Sequence, residues 1–145
     1  MISSEEKIKT LVHNYNFAVR FNETDPLGIV WHGNYITYFE DGREAFGRHF
    51  GISYLDIQKS GFVTPIIKSV CEHKFPLKYG DKCRIETTFE DTLAAKMIYK
   101  FKIFNQDEKL VCIGETTQVF LDNEGDLMLT LPPFFEEWKK KVGLL

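Results

Sequence analysis

One helical stripe constrains this chain more than any other feature. Tyr35, Phe39, Gly42, Phe46 and Phe50 recur at helical spacing over about 17 residues that begin near Gly33. Most of the chain beyond this helix alternates instead. Ile85, Thr87 and Phe89 share one face of residues 84–90. Met97, Tyr99, Phe101 and Ile103 oppose Lys96, Lys100 and Lys102 in residues 96–104. Residues 63–75 are rich in β-branched side chains, and 110–121 read as a long strand. Ahead of the helix, Tyr15, Phe17, Val19 and Phe21 alternate with Asn16, Ala18 and Arg20. Turn signals at 78–81, 105–108 and 122–125 separate the later strands, and a short strand is expected at 127–131.

Residues 1–10 read as a polar lead-in, and 51–61 as a helix exit, a short helical turn and a loop. Pro132 and Pro133 open a terminal helix carrying Phe134, Phe135 and Trp138, with Lys139 to Lys141 in its last turn, where cations suit the helix dipole. The order is α+β. One long helix followed by an antiparallel meander lets a sheet of five to six strands curl round the helix. Gly42 sits mid-helix, at a cost of about 1 kcal/mol relative to alanine; its expected return is close approach of the helix to that sheet.

A chain of 145 residues fits one domain, and 43% hydrophobic with 14% aromatic residues argues for a packed core. The formal charge of −3 and the lack of a basic run exclude nucleic acid as the expected partner. No apolar run approaches the roughly 20 residues that cross a bilayer, and the first residues lack the apolar core of a signal peptide. Cys71, Cys83 and Cys112 are widely spaced and odd in number, which suits free thiols in a reducing cytoplasm. Cys71 and His73 alone do not make a metal site. The expectation is a soluble cytoplasmic protein without metal or cofactor.

The chemistry concentrates just before the long helix. Asp25 precedes a proline, which biases it to an extended conformation. Gly28 allows a sharp turn. The helix then opens near Gly33, and its first amides lack intrahelical partners. A carboxylate beside such amides suits a carbonyl substrate, although Asp before Pro also occurs in plain turns.

The run Glu23-Thr24-Asp25-Pro26-Leu27-Gly28-Ile29-Val30-Trp31-His32-Gly33-Asn34-Tyr35, followed by Tyr38-Phe39-Glu40 and Arg43-Glu44, resembles the hotdog-fold acyl-CoA thioesterases, and in particular the 4-hydroxybenzoyl-CoA thioesterase branch. The likeness extends through Leu77-Lys78-Tyr79-Gly80-Asp81 to the proline-led terminal helix, covering roughly residues 15–138. It implies a sheet wrapped round the helix and edge-to-edge pairing into a homodimer or homotetramer with sites at the interface. It also implies a coenzyme A or acyl-carrier thioester substrate. Asp25 matches the catalytic acid, and His32 the histidine at the helix start. The amides near His32 and Gly33 match the oxyanion position.

Trp31 stands where many similar chains carry a smaller or different residue, and Tyr35 matches the family tyrosine. Trp31, Tyr35, Ile66 and Lys68 are the candidate substrate contacts; Lys68, Arg84 and Lys96 are the cations available to a nucleotide. The resemblance leaves Asp25 as nucleophile or as general base. Glu40 and Glu44 are alternative acids, or partners of Arg43 and Arg48. A hotdog dehydratase would need a His-x-x-x-Pro-Gly segment, which is missing here. A non-catalytic acyl-thioester binder and an acyl-carrier-protein thioesterase remain the competing functions.

Overall fold

The computed structural model describes residues 10–145. The expected lead-in, residues 1–10, lies outside these except for Thr10, which opens the first strand. The order is β1 (Thr10–Ala18), α1 (Asn34–Phe50), α2 (Tyr54–Lys59), β2 (Ile66–His73), β3 (Lys82–Glu90), β4 (Lys96–Phe104), β5 (Leu110–Val119) and α3 (Pro133–Lys141). The strands form one antiparallel sheet in the order β1-β3-β4-β5-β2. This is the expected α+β hotdog arrangement, with α1 against one face of the sheet.

Alternation decides which face is inner. Cys83, Ile85, Thr87 and Phe89 of β3 and Met97, Tyr99, Phe101 and Ile103 of β4 are all buried. Onto them the helix stripe delivers Tyr35, Phe39 and Phe46, which are also buried. Two glycines set how closely the layers meet. A Cβ on Gly42 would come within 2.7 Å of Thr87 Oγ1 and 2.8 Å of Ile85 Cδ1, which accounts for glycine in mid-helix. Gly114 of β5 makes room for the Phe39 ring, whose Cζ would lie 2.2 Å from a Cβ there. That ring stacks on Phe101 with centroids 4.7 Å apart.

α3 closes the open end of this layer. Trp138 Nε1 donates to the Phe50 carbonyl at 2.7 Å, satisfying one of the carbonyls left free at the end of α1. Lys139 lies in the last turn of α3, as expected, and is also buried. It is 2% exposed, its Nζ donates to the Thr92 carbonyl at 2.8 Å, and Asp91 Oδ1 lies 2.6 Å away.

Three boundaries differ from the sequence reading. β1 runs from Thr10 to Ala18 rather than over 15–21, and Phe21 falls in a 3-10 turn (Phe21–Glu23), 74% exposed. The turn is closed by the Glu23 carboxylate, which accepts from the Arg20 N–H at 2.8 Å. Residues 127–131 form only a bridge between Leu121 and Leu127, so the sheet has five strands among the described residues. β2 is shorter than 63–75 and carries a bulge: Ile66 pairs with Gln118 but Lys68 with Thr117. The extra residue reverses the phase of the strand. Ile66 therefore belongs to the α1 side, whereas Lys68, Val70 and Glu72 line the outer face.

Candidate active site

The segment between β1 and α1 folds back on itself. Thr24 bridges Val30, the Asp25 N–H donates to the Ile29 carbonyl at 2.8 Å, and the Gly28 N–H donates to the Asp25 carbonyl at 2.9 Å. Gly28 has φ +80°, a conformation that side chains disfavour. Asp25 Oδ1 accepts from the Leu27 N–H at 2.9 Å, an Asx turn that orients the carboxylate and leaves Oδ2 for other partners. The hairpin is docked from below by the Val30 N–H, which donates to the Leu77 carbonyl at 2.8 Å.

Glu23 anchors the near side of this hairpin, a role that the sequence did not disclose. It is buried, and its carboxylate accepts from Arg20 through both backbone and guanidinium and from the Tyr38 hydroxyl at 3.0 Å. Its carbonyl accepts from the Trp31 N–H at 2.9 Å and from Asn34 Nδ2 at 2.8 Å. Burial and the Glu23 hydrogen bond both push the Tyr38 phenol above its ordinary range.

The hairpin hands over directly to α1. The Asn34 N–H donates to the Trp31 carbonyl at 2.9 Å, while among the described residues the His32 and Gly33 N–H groups have no backbone acceptor. The Trp31 ring lies over Gly33, where an added Cβ would meet it at 2.2 Å, yet the residue is 51% exposed. His32 is exposed, its ring 5.1 Å from that of Trp31.

A cavity of about 330 Å³ opens beside it, lined by Val30, His32, Tyr35, His73 and Phe75 among others. Tyr35 is buried and packs edge-on against His73, with centroids 4.9 Å apart. Burial pushes its phenol up to about 12, offset in part by a hydrogen bond with the Leu77 backbone.

Asp25, Trp31, His32, Gly33 and Tyr35 thus share one hairpin and helix start. The other two candidate contacts lie elsewhere. Ile66 lines a separate recess beneath α1. Lys68 lies on the outer face of the sheet, its Nζ 3.6 Å from Glu115. Arg84 is engaged with Glu108 at 2.7 Å. Glu40 pairs with Arg43 and Glu44 with Arg48. Among the described residues no group of acidic, His and Cys side chains is placed to hold a metal, and no helix is long and apolar enough to cross a membrane.

Known proteins share this fold. The family model described as the thioesterase-like superfamily matches residues 19–139. A Bacillus subtilis (strain 168) protein named "Putative acyl-CoA thioesterase YneP" is 32% identical over 127 residues, covering 88% of this chain and 92% of its own length. Among solved structures, a DHNA-CoA thioesterase from Staphylococcus aureus superposes with a TM-score of 0.81 at 27% identity, covering 91% of each chain. A mutant 4-hydroxybenzoyl CoA thioesterase complexed with 4-hydroxybenzoyl CoA superposes at 0.75 and 20% identity, over 88% of this chain and 97% of its own; at that identity it bears on the fold alone. The family match spans nearly all of the fold, and with the named thioesterase relatives it makes this chain a thioester hydrolase that belongs to the thioesterase-like superfamily.

Proposed function

We propose that the chain hydrolyses acyl-coenzyme A thioesters to the free acid and coenzyme A, with Asp25 as the catalytic carboxylate. One observation carries this reading: a carboxylate oriented by its own Asx turn lies in the same hairpin that leads into the acceptor-free His32 and Gly33 amides. A thioester carbonyl is already electrophilic. It needs an oxygen delivered to carbon, a place for the developing oxyanion and release of the thiolate. Asp25 delivers the oxygen, either by attacking the carbonyl carbon itself or by taking a proton from an attacking water. The His32 and Gly33 N–H groups, at the positive end of α1, hold the oxyanion. His32 orients the thioester beside its own amide, and Trp31 and Tyr35 contact the substrate. The reaction requires no cofactor, coenzyme A being part of the substrate.

The active form is a homodimer. Among the described residues β2 lies at the edge of the sheet, paired only with β5, and most of its residues are exposed. A second copy pairing there, antiparallel and about the strand's midpoint, completes the ladder and covers Ile67 and Val70. It also sets the Ile66 end of one β2 beside the His73 end, and hence the His32 cavity, of the other. The three free thiols suit a reducing cytoplasm.

The test is release of coenzyme A from a panel of aromatic and aliphatic acyl-coenzyme A thioesters by the native chain and by Asp25→Asn. Asparagine keeps an acceptor for the Leu27 amide, so the hairpin persists. Turnover should fall by about 10³-fold or more. Undiminished turnover would overturn the role of Asp25. Silence towards every coenzyme A ester, with turnover of a carrier-protein ester, would transfer the activity to carrier-bound substrates.

A further inference from the structure

A thioester attacked at carbon must also release its sulfur. Asp25 delivers the oxygen and the His32 and Gly33 amides hold the oxyanion, but the departing sulfur keeps the electron pair of the C–S bond. A cysteine-like alkyl thiol titrates at about 8.5. Its thiolate therefore leaves more readily when a proton meets it as the bond breaks.

The cavity of about 330 Å³ beside the hairpin suits such a group. One wall is the hairpin and helix start, with Ile29, Val30, His32 and Tyr35; the other is the end of β2 and the chain after it, from His73 to Pro76. Among the described residues no carboxylate lines it, although the chain carries 21 acidic residues against 18 Lys and Arg. Its polar side chains are two imidazoles, an ammonium and a phenol, a set that favours a group turning anionic.

The register of β2 places His73 there. Cys71 pairs with Gly114, which faces the Phe39 ring of α1, so side chains 71 and 73 point to the helix side of the sheet. The His73 imidazole is exposed to the cavity and packs edge-on against the Tyr35 ring, with centroids 4.9 Å apart. The other proton donors are otherwise engaged. Tyr35 is held by the Leu77 backbone, and burial pushes its phenol up to about 12, so it keeps its proton in the presence of a thiolate. Lys74 Nζ pairs with Glu72 at 3.3 Å. His32 supplies an oxyanion amide, and its ring lies against that of Trp31, 5.1 Å away.

We propose that His73 is the general acid of the reaction, its imidazolium giving a proton to the coenzyme A sulfur as the C–S bond breaks. This rests on the thioesterase reading of the Asp25 hairpin. The electron pair of the C–S bond stays on sulfur and takes up the His73 proton, so coenzyme A leaves as a neutral thiol. The neutral imidazole is recharged by the proton that the attacking water releases. One water is consumed, its oxygen ending in the free acid, whether it attacks the thioester directly or frees an acyl group first carried by Asp25.

The experiment presents one acyl group on three thiols: coenzyme A, the small alkyl thiol N-acetylcysteamine, and 4-nitrothiophenol, an acidic aryl thiol that leaves as its anion unaided. In His73→Gln, kcat/KM should fall by about 100-fold for both alkyl thioesters and by about threefold at most for the aryl one. The retained aryl turnover also shows that the variant is folded. Equal loss on all three esters would overturn the proposal, because a residue that only shapes the cavity does not distinguish the thiols. So would alkyl turnover left at the native level. A second reading needs no variant. Across thiols of graded acidity, kcat/KM of the native chain should stay nearly constant, and a steep rise with acidity would also overturn the general acid. Asp25→Asn should lose alkyl and aryl esters alike. If it loses both while His73→Gln shows no difference between thiols, the thioesterase stands without this acid. If it loses neither while His73→Gln shows the alkyl-only loss, the role of Asp25 falls and the acid stands.

Discussion

The Tyr38 hydroxyl donates to Glu23 Oε1 at 3.0 Å, so the middle of α1 holds the turn that leads into the Asp25 hairpin. The same oxygen accepts from the Arg20 N–H. Glu23→Ala leaves a buried phenol and a backbone amide without this acceptor, and each unpaired group costs about 1–3 kcal/mol. The Arg20 guanidinium is exposed, so its share of the loss is small. A drop in stability of about 3 kcal/mol is expected for Glu23→Ala and about 1 kcal/mol for Tyr38→Phe, read from denaturant midpoints. The double variant should lose less than the sum, since both remove the same bond. kcat/KM should fall more in Glu23→Ala than in Tyr38→Phe, because only the former frees the hairpin that aims Asp25.

The same burial makes the fold sensitive to alkali. Tyr35 is pushed up to about 12 and the Cys83 thiol up to about 12, both chiefly by burial, while Tyr38 and Tyr99 are raised as well. Each folded value lies above its unfolded one, about 10 for a phenol and about 9 for a thiol. Their contribution is fully present below the unfolded values. It is lost as pH rises towards the folded ones, because the unfolded chain then releases protons that the folded chain retains. Stability should therefore decline above about pH 9–10. Phenolate absorbance from Tyr35, Tyr38 and Tyr99, three of the chain's six tyrosines, should appear together with loss of far-ultraviolet ellipticity. Full titration of all six with the secondary structure intact would contradict this link between burial and stability.

The parts of this fold that were legible in sequence are those governed by local period. β4 carries its apolar residues at every second position, and its observed bounds, Lys96–Phe104, are those of the alternation. The stripe from Tyr35 to Phe50 likewise marked α1. Phe21 misled because the alternation continues beyond the point where Glu23 captures Arg20, and the carboxylate that does so is also held by Tyr38, fifteen residues further on. The burial of Lys139 was not legible, because its partner, Asp91, lies in another part of the chain. The bulge that sends Ile66 and Lys68 to opposite faces has no signature of its own, since it lies in the register with β5. The Asp25 hairpin was readable because its proline, glycine and helix start are contiguous. The cavity of His32 and His73 was not, because its two walls come from distant parts of the chain.

Close approach of the layers gives a graded test at two glycines. Gly42→Ala gains about 1 kcal/mol of helix propensity but presses on Thr87 Oγ1 and Ile85 Cδ1. Those are side-chain atoms that can shift by a few tenths of an ångström, so a net loss of about 1 kcal/mol is expected. Gly114→Ala gains no such propensity, and its Cβ would sit inside the Phe39 ring, which is itself stacked on Phe101. The expected loss is about 3 kcal/mol, the upper end of overpacking costs. Equal melting temperatures for the two variants would show that Phe39 can move as freely as Ile85.

The edge of β2 offers the last test, and it separates assembly from folding. In an antiparallel pair formed about the midpoint of the strand, residues near Ser69 and Val70 lie opposite their own copies. Val70 is exposed in the isolated chain, so Val70→Asp removes little from its core. In the pair, the same substitution sets two carboxylates against each other across the ladder, which is destabilising. Sedimentation should show the native chain as a dimer at micromolar concentration and Val70→Asp shifted towards single chains, with ellipticity unchanged. Turnover should fall in step with the dimer fraction, as the proposed site shared between two copies requires, and the melting temperature of the native chain should rise with its concentration. A native chain that sediments singly while hydrolysing thioesters at full rate would show that the Asp25 hairpin needs no second copy, and the exposed edge would then require a different partner.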